Sequence, residues 1–334
     1  MKAYQIVSDG GIDALALNEL DVPRPGPDEV LVRINASSIN YRDLSTIEQP
    51  VPRGIRYPRI PNSDGAGDVV EIGERVTRFR PGDRVCGIFF QDWIDGELTV
   101  AHTDNMLGGT AEGMLAEYRV LPQSGLVATP GYLSDVEAAT LPCAALTAWN
   151  SLVEFGRVTA GSTVLLLGTG GVSVFAQQLC NILGARTIVT SSSDEKLARI
   201  RKLGAWQTVN YRTNPDWDAA VIELTQGRGV DHTVEVGGAG TLQRSMNATR
   251  FGGSIGVIGI LTGGDVDPLP ILRRSLTLSG IYVGSRRMFE SMNRALEAHA
   301  VRPVIDAQYA FGDARAAYHA MRGAGHFGKL VIAQ

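Results

Sequence analysis

The chain has 334 residues, enough for about two domains. Charged residues make up 20% and hydrophobic residues 44%, an ordinary globular balance, and a net charge of −4 gives no reason to expect nucleic acid or an anionic membrane surface as partner. No apolar run reaches the roughly 18–20 residues of a membrane span, and the opening MKAYQIVSDGG has no signal-peptide core, so a cytoplasmic protein is expected.

Residues 1 to about 125 read as mostly β. Strands are predicted at 1–7, 29–34, 67–72 and 84–90, separated by Pro/Gly punctuation such as PRPGPDE and RPGDRV. This pattern predicts a small irregular barrel. Residues 91–114 are less hydrophobic and contain glycines, which predicts a loop. From Ser134 the pattern turns helical: Ser134 is placed to cap, Glu137 stands three later as a capping box, and Ala138, Leu141 and Leu146 follow.

A β–α alternation then runs to about residue 283. Strands are predicted at 163–167, 186–191, 207–210, 231–236, 254–260 and 276–283, with helices at 172–183, 194–203, 216–226 and 240–250. The fold class is therefore α/β, with a doubly wound parallel sheet. The tail returns to strand (304–309), helix (312–322) and strand (328–333). The 3 cysteines, Cys86, Cys143 and Cys180, are odd in number, far apart and without a CxxC pair. Neither a disulfide framework nor a zinc knuckle is suggested.

The most informative stretch is 163–185, TVLLLGTGGVSVFAQQLCNILGA. Thr163 to Leu167 carry no charge and read as a strand buried on both faces. The turn Gly168-Thr169-Gly170-Gly171 follows, and Val172, Phe175, Ala176, Leu179 and Leu183 recur at helical spacing. Strand, glycine turn and helix in that order are the context that a dinucleotide fingerprint requires. Gly168 makes the tight turn and Gly170 lets the backbone approach a pyrophosphate seated on the helix start. The third glycine position holds Ser173.

Several further motifs in fixed order carry a likeness to a known family. They are Asn40-Tyr41-Arg42-Asp43, PNSDGAGDVVEIG at 61–73, RFRPGDRV at 78–85, AATLPCAALTAW at 138–149, GTGGVS at 168–173, LGAWQTVNYR at 203–212 and HFGKLVI at 326–332. Over nearly its whole length the chain resembles the medium-chain dehydrogenase/reductases, and within them the zinc-independent, quinone oxidoreductase-like (zeta-crystallin-like) branch. The resemblance implies a GroES-like catalytic domain at 1–125 plus 300–334 and a Rossmann dinucleotide-binding domain at 126–299. It also implies a nicotinamide in the cleft between them.

Zinc-containing relatives carry a cysteine where this chain has Asn40 and a histidine where it has Ser63. Their third ligand matches Cys143, but one thiolate cannot hold zinc. The relatives' structural zinc loop has four cysteines, and residues 91–114 have none. No metal is expected, and Cys143 reads as a small buried hydrophobe.

An NAD site places an acid about 20 residues past the glycines, to accept from the ribose 2′-hydroxyl. By the resemblance that position is Ser192, which suits a 2′-phosphate, with Ser193 beside it and Lys196 one turn on to supply charge. Tyr211 matches a residue that closes over the adenosine phosphate in NADPH-dependent relatives. NADPH is favoured over NADH. Asp194 and Glu195 keep the choice open, because this segment reads also as a capped helix start. Further cofactor contacts implied by resemblance are Thr147, Gly171, Val172, Val236, Gly237, Ile260, Leu261 and Lys329.

Without a metal to polarise a simple ketone, hydrogen-bond donors remain, and these suit quinones or α,β-unsaturated carbonyls, whose developing charge is delocalised. Asn40 and Tyr41 are the candidate catalytic donors. The alternative for them is that Asn40 pins its loop and Tyr41 lines the pocket. Tyr57 and Trp93 are candidate pocket residues, while Arg42 and Asp43 read as a structural pair. The other readings left open are a metal-free alcohol dehydrogenase or aldehyde reductase, and a non-catalytic NADPH-binding protein. In relatives the last strand of the nucleotide sheet pairs with its copy in a second subunit, so a homodimer through 276–283 is expected.

Overall fold

Strand Glu29–Ile39, 11 residues long, organises the first half of the chain. Its sequence EVLVRINASSI puts Val30, Val32 and Ile34 on one buried face, where they pack with Val69, Val85, Met114 and Leu121. The structure, a computed structural model, describes all 334 residues, Met1–Gln334. It divides into two compact units, residues 1–146 with 284–334, and residues 147–283.

The first unit holds a 7-stranded sheet in the order Ile305–Ala310, Lys329–Ala333, Glu29–Ile39, Asp64–Ile72, Arg84–Gly87 and Leu126–Ala128, with Tyr118–Pro122 also paired to Glu29–Ile39. All these pairings are antiparallel except Ile305–Ala310 with Lys329–Ala333. Gly67 lies against Arg33, where a Cβ would fall 1.9 Å from the Arg33 carbonyl oxygen, so only glycine allows this approach. The C-terminal tail belongs to this unit. Tyr318, Leu330 and Ile332 share one core with Tyr4, Ile12, Ile39 and Ile47.

The second unit holds a 6-stranded parallel sheet. Its strands in chain order are Thr163–Leu167, Arg186–Ser191, Gln207–Asn210, Val230–Glu235, Thr249–Val257 and Thr277–Gly280, and their spatial order is 3-2-1-4-5-6. Thr163–Leu167 is buried at every position, as an apolar run bounded by helices must be. Helices Gly171–Leu183, Asp194–Lys202, Trp217–Leu224 and Ala239–Ala248 make the crossovers.

The expected capping box is present: Ser134 Oγ accepts from Glu137 N at 3.3 Å and Ser134 N donates to Glu137 Oε2 at 2.8 Å. Elsewhere the structure departs from the sequence-based bounds. The loop 91–114 contains a short helix, Val100–Thr103, preceded by Thr99, whose N–H reaches His102 Nδ1 at 3.1 Å. Strand Thr249–Val257 begins where a helix end was expected. The last strand stops at Gly280, opposite Val257, where its one partner strand ends, and Val283 further on turns to a left-handed φ of 57.

The boundary between units also falls later than residue 125 at one end and earlier than 299 at the other. Helix Arg286–Ala298 joins the first unit, where Asn293 Nδ2 donates to the Ala128 carbonyl at 3.2 Å and Tyr132 Oη to the Leu296 carbonyl at 3.0 Å.

Candidate functional site

In the second unit the glycine turn sits where the strand order reverses. Thr163–Leu167 pairs with Arg186–Ser191 on one side and Val230–Glu235 on the other. Ligands of open α/β sheets bind at the carboxyl ends of such strands. Gly168 has φ 70, a value that calls for glycine, and the space a Cβ would take at Gly168 or Gly170 is empty. Gly171 and Val172 open the helix, and no acid lies in its first turn. Their N–H groups lack intrahelical partners, which is the arrangement that receives a pyrophosphate. Ser173 Oγ donates to the Leu167 carbonyl at 2.6 Å. A serine therefore ties helix to strand where the fingerprint has its third glycine. These features fit a dinucleotide.

The ends of the neighbouring strands are shaped by side chains that the sequence did not single out. Glu235 is fully buried. Its Oε1 accepts from Gly237 N at 2.7 Å, Gly238 N at 3.1 Å and Thr241 Oγ1 at 2.7 Å, and its Oε2 accepts from Ser245 Oγ. One carboxylate thus holds the turn that carries Val236 and Gly237. Thr262 Oγ1 donates to the Gly237 carbonyl at 3.0 Å, pinning the segment next to Ile260 and Leu261, both of which are exposed. Thr147 is buried at the edge of this unit.

After strand Arg186–Ser191, Ser192 is half-buried and Ser193 caps the next helix, accepting from Lys196 N at 3.3 Å. Asp194 Oδ1 accepts from Asn210 Nδ2 at 2.7 Å. Tyr211 is exposed, and its N–H donates to the Ser191 carbonyl at 3.1 Å. The structure thus brings Ser192, Ser193, Lys196 and Tyr211 to adjoining strand ends.

The first unit holds a buried polar cluster around Asn40. Asn40 precedes helix Tyr41–Glu48, and its backbone N–H donates to Asp43 Oδ2 at 2.9 Å. Lys329 Nζ donates to Asn40 Oδ1 at 2.6 Å and to the Ile39 carbonyl at 2.8 Å. Asn40 Nδ2 reaches Ser63 Oγ at 3.5 Å. Ser63 Oγ donates to Asp64 Oδ1 at 2.7 Å, and Cys143 N donates to Asp64 Oδ2 at 3.2 Å. Cys143 lies in a π-helical turn that opens at Leu141-Pro142. Asp43 Oδ1 takes Arg42 Nη1 at 2.9 Å and Ser63 N at 3.2 Å, so Arg42 and Asp43 are the structural pair expected.

Burial raises the Asp64 carboxyl and lowers the Lys329 ammonium, and each opposes the shift of the other. Asn40 is 9% exposed and Lys329 2%. Tyr41 stands open at the helix start, 47% exposed. Tyr57 is exposed as well. Trp93 is only 4% exposed, with its indole N–H on the Gly96 carbonyl at 3.0 Å and its ring 6.2 Å from that of Phe90, so it anchors its loop.

The chemistry of the cluster bears on zinc. Asn40, Ser63 and Cys143 offer an amide, a hydroxyl and one thiol, and burial pushes that thiol up. The Lys329 ammonium already stands against the amide oxygen. No three His, Cys, Asp or Glu side chains converge as metal ligands. This donor set does not fit zinc.

The alcohol dehydrogenase GroES-like domain family matches residues 26–131 and the zinc-binding dehydrogenase family matches residues 171–298. A zinc-type alcohol dehydrogenase-like protein of Schizosaccharomyces pombe is 42% identical over 96% of both chains. The chain belongs to the medium-chain dehydrogenase/reductase superfamily. A putative alcohol dehydrogenase of Sinorhizobium meliloti superposes with a TM-score of 0.92 at 41% identity, over 100% of this chain and 98% of that one. At greater distance stand a chloroplastic quinone-oxidoreductase homologue of Spinacia oleracea, 28% identical over 97% of this chain and 95% of its own, and an acryloyl-coenzyme A reductase of Sulfurisphaera tokodaii, 26% identical over 99% of each. These relatives bear out the likeness to the quinone oxidoreductase-like branch. The members of this superfamily are oxidoreductases, and so is this chain. No helix is long and apolar enough to cross a membrane.

Proposed function

We propose that this protein is an NADPH-dependent, zinc-independent reductase of quinones or α,β-unsaturated carbonyls. The observation that carries the reading is the cluster at Asn40, where an amide backed by a lysine ammonium stands at the position that the resemblance gives to a zinc ligand. A bound nicotinamide supplies the hydride. Gly168, Gly170, Gly171 and Val172 hold the pyrophosphate on backbone N–H groups, and Val236, Gly237, Ile260, Leu261 and Thr147 flank the rest of the dinucleotide. Ser192, Ser193, Lys196 and Tyr211 receive the 2′-phosphate. Asn40 donates to the substrate oxygen on which charge develops, and Tyr41, open to solvent, donates a proton or lines the pocket with Tyr57. Hydrogen-bond donors of this strength suit oxygens whose charge is spread by conjugation.

The deciding experiment is NADPH oxidation by chelator-treated protein with 1,4-benzoquinone, trans-2-octenal and octanal. Turnover of the first two alone supports the reading. Turnover of octanal alone favours a metal-free aldehyde reductase, a second reading supported by the alcohol dehydrogenase-like relatives above 40% identity.

The same proposal includes a homodimer. Thr277–Gly280 is an edge strand with one partner, Thr249–Val257, and Tyr282 and Leu272 beside it are exposed. An open edge of this kind pairs with its own copy across a twofold axis. A monomeric mass by light scattering at micromolar concentration sinks this part.

A further inference from the structure

We propose that Lys329 is the positioning residue of Asn40, fixing the amide so that its nitrogen and not its oxygen is offered to the substrate. The inference rests on the reading above that Asn40 touches the reacting oxygen. The two ends of an asparagine amide are nearly equal in shape, and only their partners choose between them. Lys329 has three N–H donors and no acceptor, so the amide end at 2.6 Å from Nζ must be the oxygen. The ammonium is held in turn by the Ile39 carbonyl at 2.8 Å. The sheet sets its place, because Leu330 and Ile39, the chain neighbours of Lys329 and Asn40, pair at the end of the antiparallel ladder.

With the oxygen committed, the nitrogen end faces Ser63 and Asp64. Its bond to Ser63 Oγ, 3.5 Å, is the longest polar contact described for the cluster, and the Ser63 hydroxyl proton is already given to Asp64. The amide nitrogen also hydrogen-bonds Asp64, so it is the N–H directed at Ser63 that is weakly used and that an acceptor oxygen takes over. A cation on the amide oxygen also draws electron density from the nitrogen and strengthens its donors. With the amide reversed, oxygen would meet oxygen and the donor would be lost.

The test is a cycle of Asn40→Ala, Lys329→Met and the double variant, with 1,4-benzoquinone and trans-2-octenal as acceptors. Lys329→Met is expected to lower kcat by about 10- to 100-fold, the scale of a misplaced catalytic group. Any change in its NADPH affinity, followed by fluorescence titration, is small beside the loss in kcat. The double variant is no slower than Asn40→Ala, and Lys329→Arg recovers most of the loss. Losses that multiply in the double variant would overturn the inference, as would weakened NADPH binding with normal kcat, which would make Lys329 a cofactor contact. Lys329→Met with Asp64→Asn keeps the buried charges balanced should the single variant fold poorly. Independent of turnover, the Asn40 side-chain 1H–15N signals, identified by their loss in Asn40→Ala, shift in Lys329→Met; unmoved signals would also overturn the proposal. If the wild type reduces neither acceptor, the functional reading fails and these signals alone decide the role of Lys329.

Discussion

Asp194 Oδ1 accepts a hydrogen bond from Asn210 Nδ2 at 2.7 Å, so the acid nearest the end of strand Arg186–Ser191 is tied to the edge strand Gln207–Asn210. One oxygen of this exposed carboxylate is engaged, and Ser192 stands at the strand end, the place the proposal gives to the 2′-phosphate.

Ser192→Asp is expected to reverse the choice of NADPH over NADH. A carboxylate facing a 2′-phosphate costs about 1–4 kcal/mol near a protein surface. The KM for NADPH should rise about fivefold or more, while that for NADH holds or falls. Steady-state kinetics with both coenzymes decides it, and an unchanged ratio would place the 2′-position elsewhere.

Tyr41→Phe removes the exposed hydroxyl at the start of helix Tyr41–Glu48. A positioned proton donor contributes about 100-fold or more. We expect kcat to fall on that scale with NADPH affinity intact. Unchanged turnover would leave Tyr41 as pocket lining.

Glu235→Ala leaves two backbone N–H groups and the Thr241 and Ser245 hydroxyls without their shared acceptor. A loss of about 2–4 kcal/mol of stability is expected, since each buried unpaired group costs on the order of 1 kcal/mol or more. NADPH binding weakens as well, because the turn at Val236 and Gly237 loosens. Thermal unfolding with and without NADPH reads both effects.

His232 makes stability depend on pH. Burial lowers its pKa to about 4, and its ring nitrogens meet Ser151 Oγ at 2.9 Å and Ser254 Oγ at 2.8 Å. Unfolding releases a histidine that protonates near 6.5, so the unfolded state binds more protons between about pH 6.5 and 4. Stability therefore falls as pH drops through that window, by up to about 3 kcal/mol. Urea unfolding of His232→Gln, compared with wild type at pH 7 and 4.5, should show this slope removed.

The nucleotide unit was legible because its first strand, 163–167, is a charge-free run buried on both faces and is followed at once by a glycine turn and a helix, an order with few other structural readings. The Ser134–Glu137 box was legible because its two partners are three residues apart. Asp64 and Glu235 were not, since an acid beside glycines reads as part of a turn until the fold closes around it. Lys329 stood among the expected cofactor contacts, and its partner Asn40 lies 289 residues away, a relation no local pattern carries. The end of the last nucleotide strand was misread because residues 281–283 are strand-like by type, while the partner strand that would pair with them ends at Val257, and the Val283 carbonyl instead accepts from Asn150 Nδ2 at 2.8 Å.

Strand Lys329–Ala333 lies between Ile305–Ala310 and Glu29–Ile39 in the sheet of the first unit. During synthesis, the segment 147–283 leaves the ribosome whole and is free to fold on its own contacts. The first unit has to wait, its sheet missing an inner strand until residues 329–333 emerge, and closing so long a loop is slow. Until then one edge of the ladder stays bare at Ala36, Ser37, Ser38 and Ile39, the residues that later pair with 330–333. The backbone groups of 36–39 are thus the ones left open to mispairing in the interval between making the nucleotide unit and making strand 329–333.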